Sequence, residues 1–234
     1  MDLKNAVALV TGGSAGIGRA IAQVLAESGA RVAITGRDKS KLAATAEALG
    51  VFPVQADVSN EVDVERTYIE VLDKFGDLDI LVNNAGSGVF KNLVDFDLPS
   101  FEAVFATNVT GAMLMGREAA KHFVARKRGN IVNIGSTASH RGAPMGTAYY
   151  ASKFALRGMT ECWRAELRKY NIRVILVNPS EVLTDFYPAA GLAQKANETK
   201  LRGEEIAHAV QAALEMDDRG FMTELTVFAT NPVD

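Results

Sequence analysis

The chain alternates between two kinds of apolar segment, and that alternation limits what it can fold into. Short runs rich in Val, Ile, Leu and Ala occupy residues 6–11, 31–35, 52–55, 80–83, 130–134, 173–177 and 225–228. Several are continuous rather than alternating, the pattern of strands covered on both faces. Between them the apolar spacing is helical. Ile17, Ile21, Val24 and Leu25 mark one such face, with Gly29 as a stop, and similar stretches run over 40–49, 62–75, 100–126, 147–170 and 204–215. Strand–helix alternation of this kind folds as a parallel sheet with right-handed crossovers. The 234 residues contain no repeat, linker or low-complexity block. The expectation is a single doubly wound α/β domain over 1–234, with a central parallel sheet of about seven strands flanked by helices. The least regular part, 184–203, is expected to be a surface loop or lid.

Composition removes several function classes. Charged residues make up 23% of the chain and hydrophobic ones 48%, so it is not a disordered segment. The net charge of -3 lacks the basic excess of a general nucleic-acid binder. Cys162 is the only cysteine, and His122, His140 and His208 are scattered, so neither an internal disulfide nor a metal site is expected. No apolar run reaches the eighteen or so residues that span a bilayer, and the first residues do not read as a signal peptide. A cytoplasmic protein with no membrane and no nucleic-acid partner is expected.

The first strand–helix junction reads Thr11-Gly12-Gly13-Ser14-Ala15-Gly16-Ile17-Gly18. Glycine suits a tight turn where backbone approaches a ligand, and a helix starting near Gly16 offers unpaired N–H groups and partial positive charge to a pyrophosphate. A purely structural turn is the other reading. After the second strand, the position where dinucleotide folds place an acid for the ribose is Gly36, and Arg37 follows. A guanidinium there takes a 2′-phosphate through two parallel hydrogen bonds, which favours NADP(H) over NAD(H). The alternative is an ordinary surface Arg, with Asp38 capping the next helix. Asp57 either caps its own turn or accepts from an adenine amino group.

Tyr149 and Lys153 stand four apart on an expected helix and share a face. Ser136 follows the fifth strand, at the end where ligands bind in open α/β sheets. Adding hydride to a carbonyl puts negative charge on oxygen, which needs a proton donor and a hydrogen-bond partner. A free Tyr, with a pKa of about 10, is a poor acid–base group near neutrality. An ammonium at about 4 Å is worth roughly 4 kcal/mol, enough to lower that value by about three units. Read alone, the pair is also a common way to pack a ring and snorkel an amine.

Together these residues resemble the short-chain dehydrogenase/reductase family over almost the whole chain. The residues that carry the resemblance are the glycine turn, Asp57, Asn83-Asn84-Ala85-Gly86, Asn108, Ser136, Tyr149 with Lys153, and Asn178-Pro179 with Val182 and Thr184. The resemblance implies a Rossmann fold with Tyr149 as acid/base, Ser136 as oxyanion partner, and Lys153 as ribose ligand and depressor of the Tyr149 pKa. It implies that Asn108 holds a water linking Lys153 to solvent; the other reading of Asn108 is a helix-bending polar residue. Cofactor contacts are implied at Gly12, Ser14, Gly16, Ile17, Gly18, Arg37, Asp57, Val58, Asn84, Ala85, Gly86, Tyr149, Lys153, Pro179, Val182 and Thr184. Family spacing selects Tyr149 over its neighbour Tyr150.

The sequence departs from the family at Ser14-Ala15, where NADP-preferring relatives often carry a basic residue, and at Ser180-Glu181, where a Gly usually follows Pro179. It also lacks the terminal Gly-Gly segment of oxoacyl reductases. The expected activity is interconversion of a small-molecule alcohol and a ketone or aldehyde with NADP(H). A 3-oxoacyl-thioester reductase and a non-catalytic nicotinamide-binding protein are the alternatives. Pocket walls are expected from 89–90, 138–145 and 186–187, and assembly as a homodimer or homotetramer through the long helices.

Overall fold

The structure is a computed structural model and describes residues 1–192 and 199–231. Seven strands form one parallel sheet: β1 (Val7–Val10), β2 (Arg31–Gly36), β3 (Phe52–Gln55), β4 (Ile80–Asn83), β5 (Gly129–Ile134), β6 (Ile172–Pro179) and β7 (Glu224–Val227), in the order β3-β2-β1-β4-β5-β6-β7. This is the doubly wound arrangement of a Rossmann fold. The continuous apolar runs have a direct cause. In β1, Ala8 and Val10 face one core layer while Val7 and Leu9 face the other, and all four are buried.

The helices are α1 (Gly16–Glu27), α2 (Lys39–Leu49), α3 (Glu61–Phe75), α4 (Leu98–Phe105), α5 (Ala112–Arg126), α6 (Thr147–Leu167), α7 (Phe186–Ala189) and α8 (Gly203–Glu215). Ile21 and Leu25 of α1 pack with Ile206 and Val210 of α8 against one side of the sheet. Val64 and Val71 of α3 join Met115 and Phe123 of α5 on the other. Several helix starts are capped by side chains. Asp38 accepts the Lys41 N–H at the start of α2, and Asn60 accepts two backbone N–H groups at the start of α3. The start of α1 differs: Ala15 offers no side-chain cap and its first turn holds no acid.

Three stretches depart from the sequence expectation. The helix expected over 100–126 is two helices joined by a wider π-type turn at Ala106–Gly111. The helix expected over 147–170 ends at Leu167, followed by a 3-10 turn at Arg168–Tyr170. The expected lid holds α7 and is tied at its base by a bridge between Val182 and Leu201; its residues 193–198 lie outside the described residues. No helix among the described residues is long and apolar enough to cross a membrane.

Strand order reverses between β1 and β4: Val10 of β1 pairs in register with Ile34 of β2 on one side and with Val82 of β4 on the other. Chains leaving the two strands on opposite sides open a crevice at their carboxyl ends.

Candidate active site

The crevice at that switch point is a cleft of about 400 Å³. Its floor is stitched by Thr11, whose hydroxyl accepts the backbone N–H groups of Asn84 and Ala85 at 3.0 Å each. The Asn84 amide returns the tie by donating to the Thr11 carbonyl at 2.9 Å. This fixes the glycine turn against the loop after β4.

The glycines of the turn answer a close-packing demand. Gly12 has φ +63 and Gly16 φ +51, conformations that strain other residues. A Cβ on Gly18 would sit 2.4 Å from the Gly12 carbonyl oxygen, so α1 could not approach the loop. The uncapped N-terminus of α1 therefore opens on the cleft through Gly16 and Ile17, with Arg37 on the same wall. Unpaired N–H groups, the helix dipole, no nearby acid in the turn and an exposed guanidinium form a fitting donor set for a dinucleotide's phosphates.

At the other end of the cleft are Ser136, Tyr149 and Lys153. Ser136 is held from behind: Asn178, buried at the end of β6, accepts its backbone N–H at 3.2 Å. The Ser136 Oγ accepts the Ala138 N–H at 3.1 Å, which leaves its own proton free to donate elsewhere. Its hydroxyl also reaches that of Tyr149 in a hydrogen bond. The Lys153 Nζ lies 5.8 Å from the centre of the Tyr149 ring and donates to the Ile134 carbonyl at 2.8 Å. Tyrosine and lysine therefore share the face that their spacing implied.

Burial acts on both groups. It pushes the Tyr149 phenol above its ordinary value, opposed by the Ser136 hydrogen bond, with further upward pushes from Tyr187 and Tyr150. It lowers Lys153 to about 8. The net shift of Tyr149 is therefore upward, although the Lys153 ammonium lies beside its ring. The amine is turned to a backbone carbonyl, and loss of water around the phenolate is the larger effect.

Gly12, Gly16, Ile17, Arg37, Asn84, Ala85, Gly86, Pro179, Val182 and Thr184 also line the cleft. Ser14, Gly18, Asp57, Val58 and Asn108 are not on its wall. Asp57 caps its own turn by accepting the N–H and hydroxyl of Ser59. Val58 is buried against Gly111. Ser14 accepts the Thr45 hydroxyl through its carbonyl. Asn108 sits inside the π-type turn, accepts the Ser87 N–H at 2.8 Å and donates to Ser87 and Ser152 at 2.9 Å each. It joins the β4 loop to α6. A Cβ on Gly86 would lie 3.4 Å from its Oδ1 and 3.8 Å from the Lys153 Nζ, so both side chains flank that glycine.

Of the expected pocket walls, Phe186 and Tyr187 line the cleft, and Phe90 packs on both of them; the 138–145 segment does not line it. Sequence reading missed Ser152, which donates to the Tyr149 carbonyl at 2.7 Å. Its signal was its place one residue before Lys153 on the Tyr149 face. It also missed Glu224, which accepts from Asn178 at 2.8 Å and pairs with His140 at 3.0 Å. Among the described residues no three His, Cys, Asp or Glu side chains gather where a metal ion would be held.

Comparison with known proteins gives the same picture. A family model described as short chain dehydrogenase matches residues 6–195. (+)-Borneol dehydrogenase 2 of Salvia officinalis is 41% identical over 79% of this chain and 67% of its own length. An alcohol dehydrogenase from Thermococcus sibiricus, solved with 5-hydroxy-NADP, superposes with a TM-score of 0.89 at 30% identity, covering 99% of this chain and all of that one. A 3-ketoacyl-(acyl-carrier-protein) reductase from Brucella melitensis, solved with NADH, gives 0.91 at 30% identity, covering 97% and 98%.

Proposed function

This chain belongs to the short chain dehydrogenase family of oxidoreductases, and from that premise we propose that it interconverts an alcohol and a ketone or aldehyde with NADP(H). The observation that carries this reading is the convergence of Ser136, Tyr149 and Lys153 at one end of a cleft whose other end is the open N-terminus of α1. A nicotinamide cofactor held there supplies hydride for reduction and accepts it in the reverse direction. Thr184 and Asn84 border the space between the two ends.

The chain's own part is the proton. The Ser136 hydroxyl donates a hydrogen bond to the substrate's carbonyl oxygen and holds it beside Tyr149. Tyr149 Oη then gives its proton to that oxygen as negative charge builds. A phenol pushed up by burial keeps its proton until then, yet it remains a stronger acid than an alkanol, which is about as weak as water at roughly 15.7. The Lys153 ammonium lies beside the ring and balances the phenolate left behind until solvent reprotonates it. In oxidation the same groups run backwards, with Tyr149 Oη taking the alcohol proton.

Arg37 supports the choice of NADP(H). It is exposed on the cleft wall, and Gly36 puts no carboxylate at the ribose position. Hydrogen bonds to a charged group are worth about 1.5–3 kcal/mol, so Arg37→Ala is expected to raise the KM for NADPH by about 10- to 100-fold. The KM for NADH should change far less. Equal losses with both cofactors would show that Arg37 does not read the 2′-phosphate. The reading as a whole is tested by following nicotinamide absorbance, with NADPH and NADH side by side, against free ketones, aldehydes and 3-oxoacyl thioesters. Turnover confined to thioesters would favour the activity named for the Brucella melitensis neighbour. Cofactor binding without turnover of any of them would leave a binding protein.

A further inference from the structure

The walls around the reacting hydroxyl are made of rings. The Phe90 ring lies 5.6 Å from that of Tyr149 and stacks on Tyr187 at 6.1 Å with a tilt of 25°. Phe186 stands 5.2 Å from Tyr149 and 6.5 Å from Phe90, nearly edge-on to the latter. Three different segments supply these rings: the loop after β4, the start of α6, and α7. Gly88 lets two of them in, since a Cβ there would sit 2.8 Å from Phe186 and 3.0 Å from Phe90.

Several charged side chains near the rings are engaged with one another, while the cationic side chains on the cleft itself, Arg37 and Lys153, are those assigned above to the cofactor phosphates and to Tyr149. Glu181 pairs with Lys200 at 2.8 Å, Asp185 with Lys41 at 3.2 Å and Lys91 with Asp97 at 2.5 Å. A charged substrate tail beside the rings would have to break one of these pairs or compete for Arg37 or Lys153. A flat apolar group, by contrast, meets both ring faces and ring edges, the two orientations that aromatic pairs prefer.

Resting on the reduction chemistry proposed above, we infer that the substrate is an uncharged aryl ketone or the matching aryl carbinol. Its carbonyl faces Ser136 and Tyr149, and its ring packs among Phe90, Phe186 and Tyr187. Acetophenone and cyclohexyl methyl ketone have the same carbon skeleton and differ in whether the ring is flat. Conjugation makes the aryl carbonyl the less electrophilic of the two, so a preference for it must come from binding contacts.

The test is kcat/KM for both ketones with wild type, Phe90→Leu and Tyr187→Leu. Aromatic contacts of this kind are worth about tenfold, so wild type should prefer acetophenone by about that factor. Either variant should bring the ratio down to about threefold or less. An alicyclic ketone reduced as well as the aryl one by wild type would overturn the inference, as would a preference that both variants keep. Reduction of other carbonyls but of neither ketone would overturn it too and leave the proposed reaction standing. No turnover of any carbonyl would remove the reaction, and the substrate class with it.

Discussion

Tyr149→Phe is expected to lower kcat for carbonyl reduction by about 10³-fold, within the range general acid catalysis supplies, while the cofactor still binds. The substitution is well suited to isolate one atom. The ring of Tyr149 packs on Phe90 and Phe186, and Phe keeps those contacts. What leaves is the hydroxyl and its hydrogen bond to Ser136. Burial disfavours the ionised phenol, so deleting the group leaves no charge stranded. A loss of that size corresponds to about 4 kcal/mol of transition-state stabilisation. Steady-state rates together with cofactor fluorescence titration separate turnover from binding. A variant with near-normal kcat would show that the proton comes from elsewhere.

Lys153→Met is expected to cost about 10²-fold in kcat/KM, the scale seen when a preorganised charge-stabilising donor is removed, and to change the pH profile. Burial lowers the Lys153 amine to about 8. Its charge is present below that pH and is lost above it. Since kcat/KM reports the ionisations of the free enzyme, wild-type reduction should be steady below about pH 8 and fall as pH rises through it. Lys153→Met should lose that break along with the activity. A break that survives in the variant belongs to another group. Met fills nearly the same volume but leaves the Ile134 carbonyl without its 2.8 Å donor, so thermal melts should accompany the kinetics to keep folding and catalysis apart.

How much of this was legible beforehand depended on the range of the interactions involved. The strands were legible because burial on both faces turns a period-two pattern into continuous apolar runs, as in Val7, Ala8, Leu9 and Val10. Tyr149 and Lys153 were legible because one helix sets their relation. The turn at Ala106–Gly111 was legible only as the helix-bending reading of Asn108, because a wider winding keeps the chain helical and leaves no Pro to read. Helix α7 was not legible, since four residues cannot show a helical period.

Features set by register stayed hidden altogether. Glu224 meets Asn178 only because β7 pairs with β6, placing Leu176 opposite Glu224 and Asn178 opposite Thr226. That contact lies behind the buried Asn178 side chain that fixes the Ser136 backbone. The sign of the Tyr149 shift was hidden for a related reason. A lysine one turn along argues for a lowered value, but burial of the phenol decides the outcome, and burial is a property of the assembled cleft.

The central claim is that Ser136 and Tyr149 act on one substrate oxygen as a unit. The most direct test is a double-variant cycle with Ser136→Ala, Tyr149→Phe and the combination, read as kcat for reduction at saturating cofactor. Groups that act as a unit are strongly non-additive, so the combined variant should fall little further than Tyr149→Phe alone. Losses that multiply across the two substitutions would mean that each residue contributes independently, and the shared proton-transfer site described above would be contradicted.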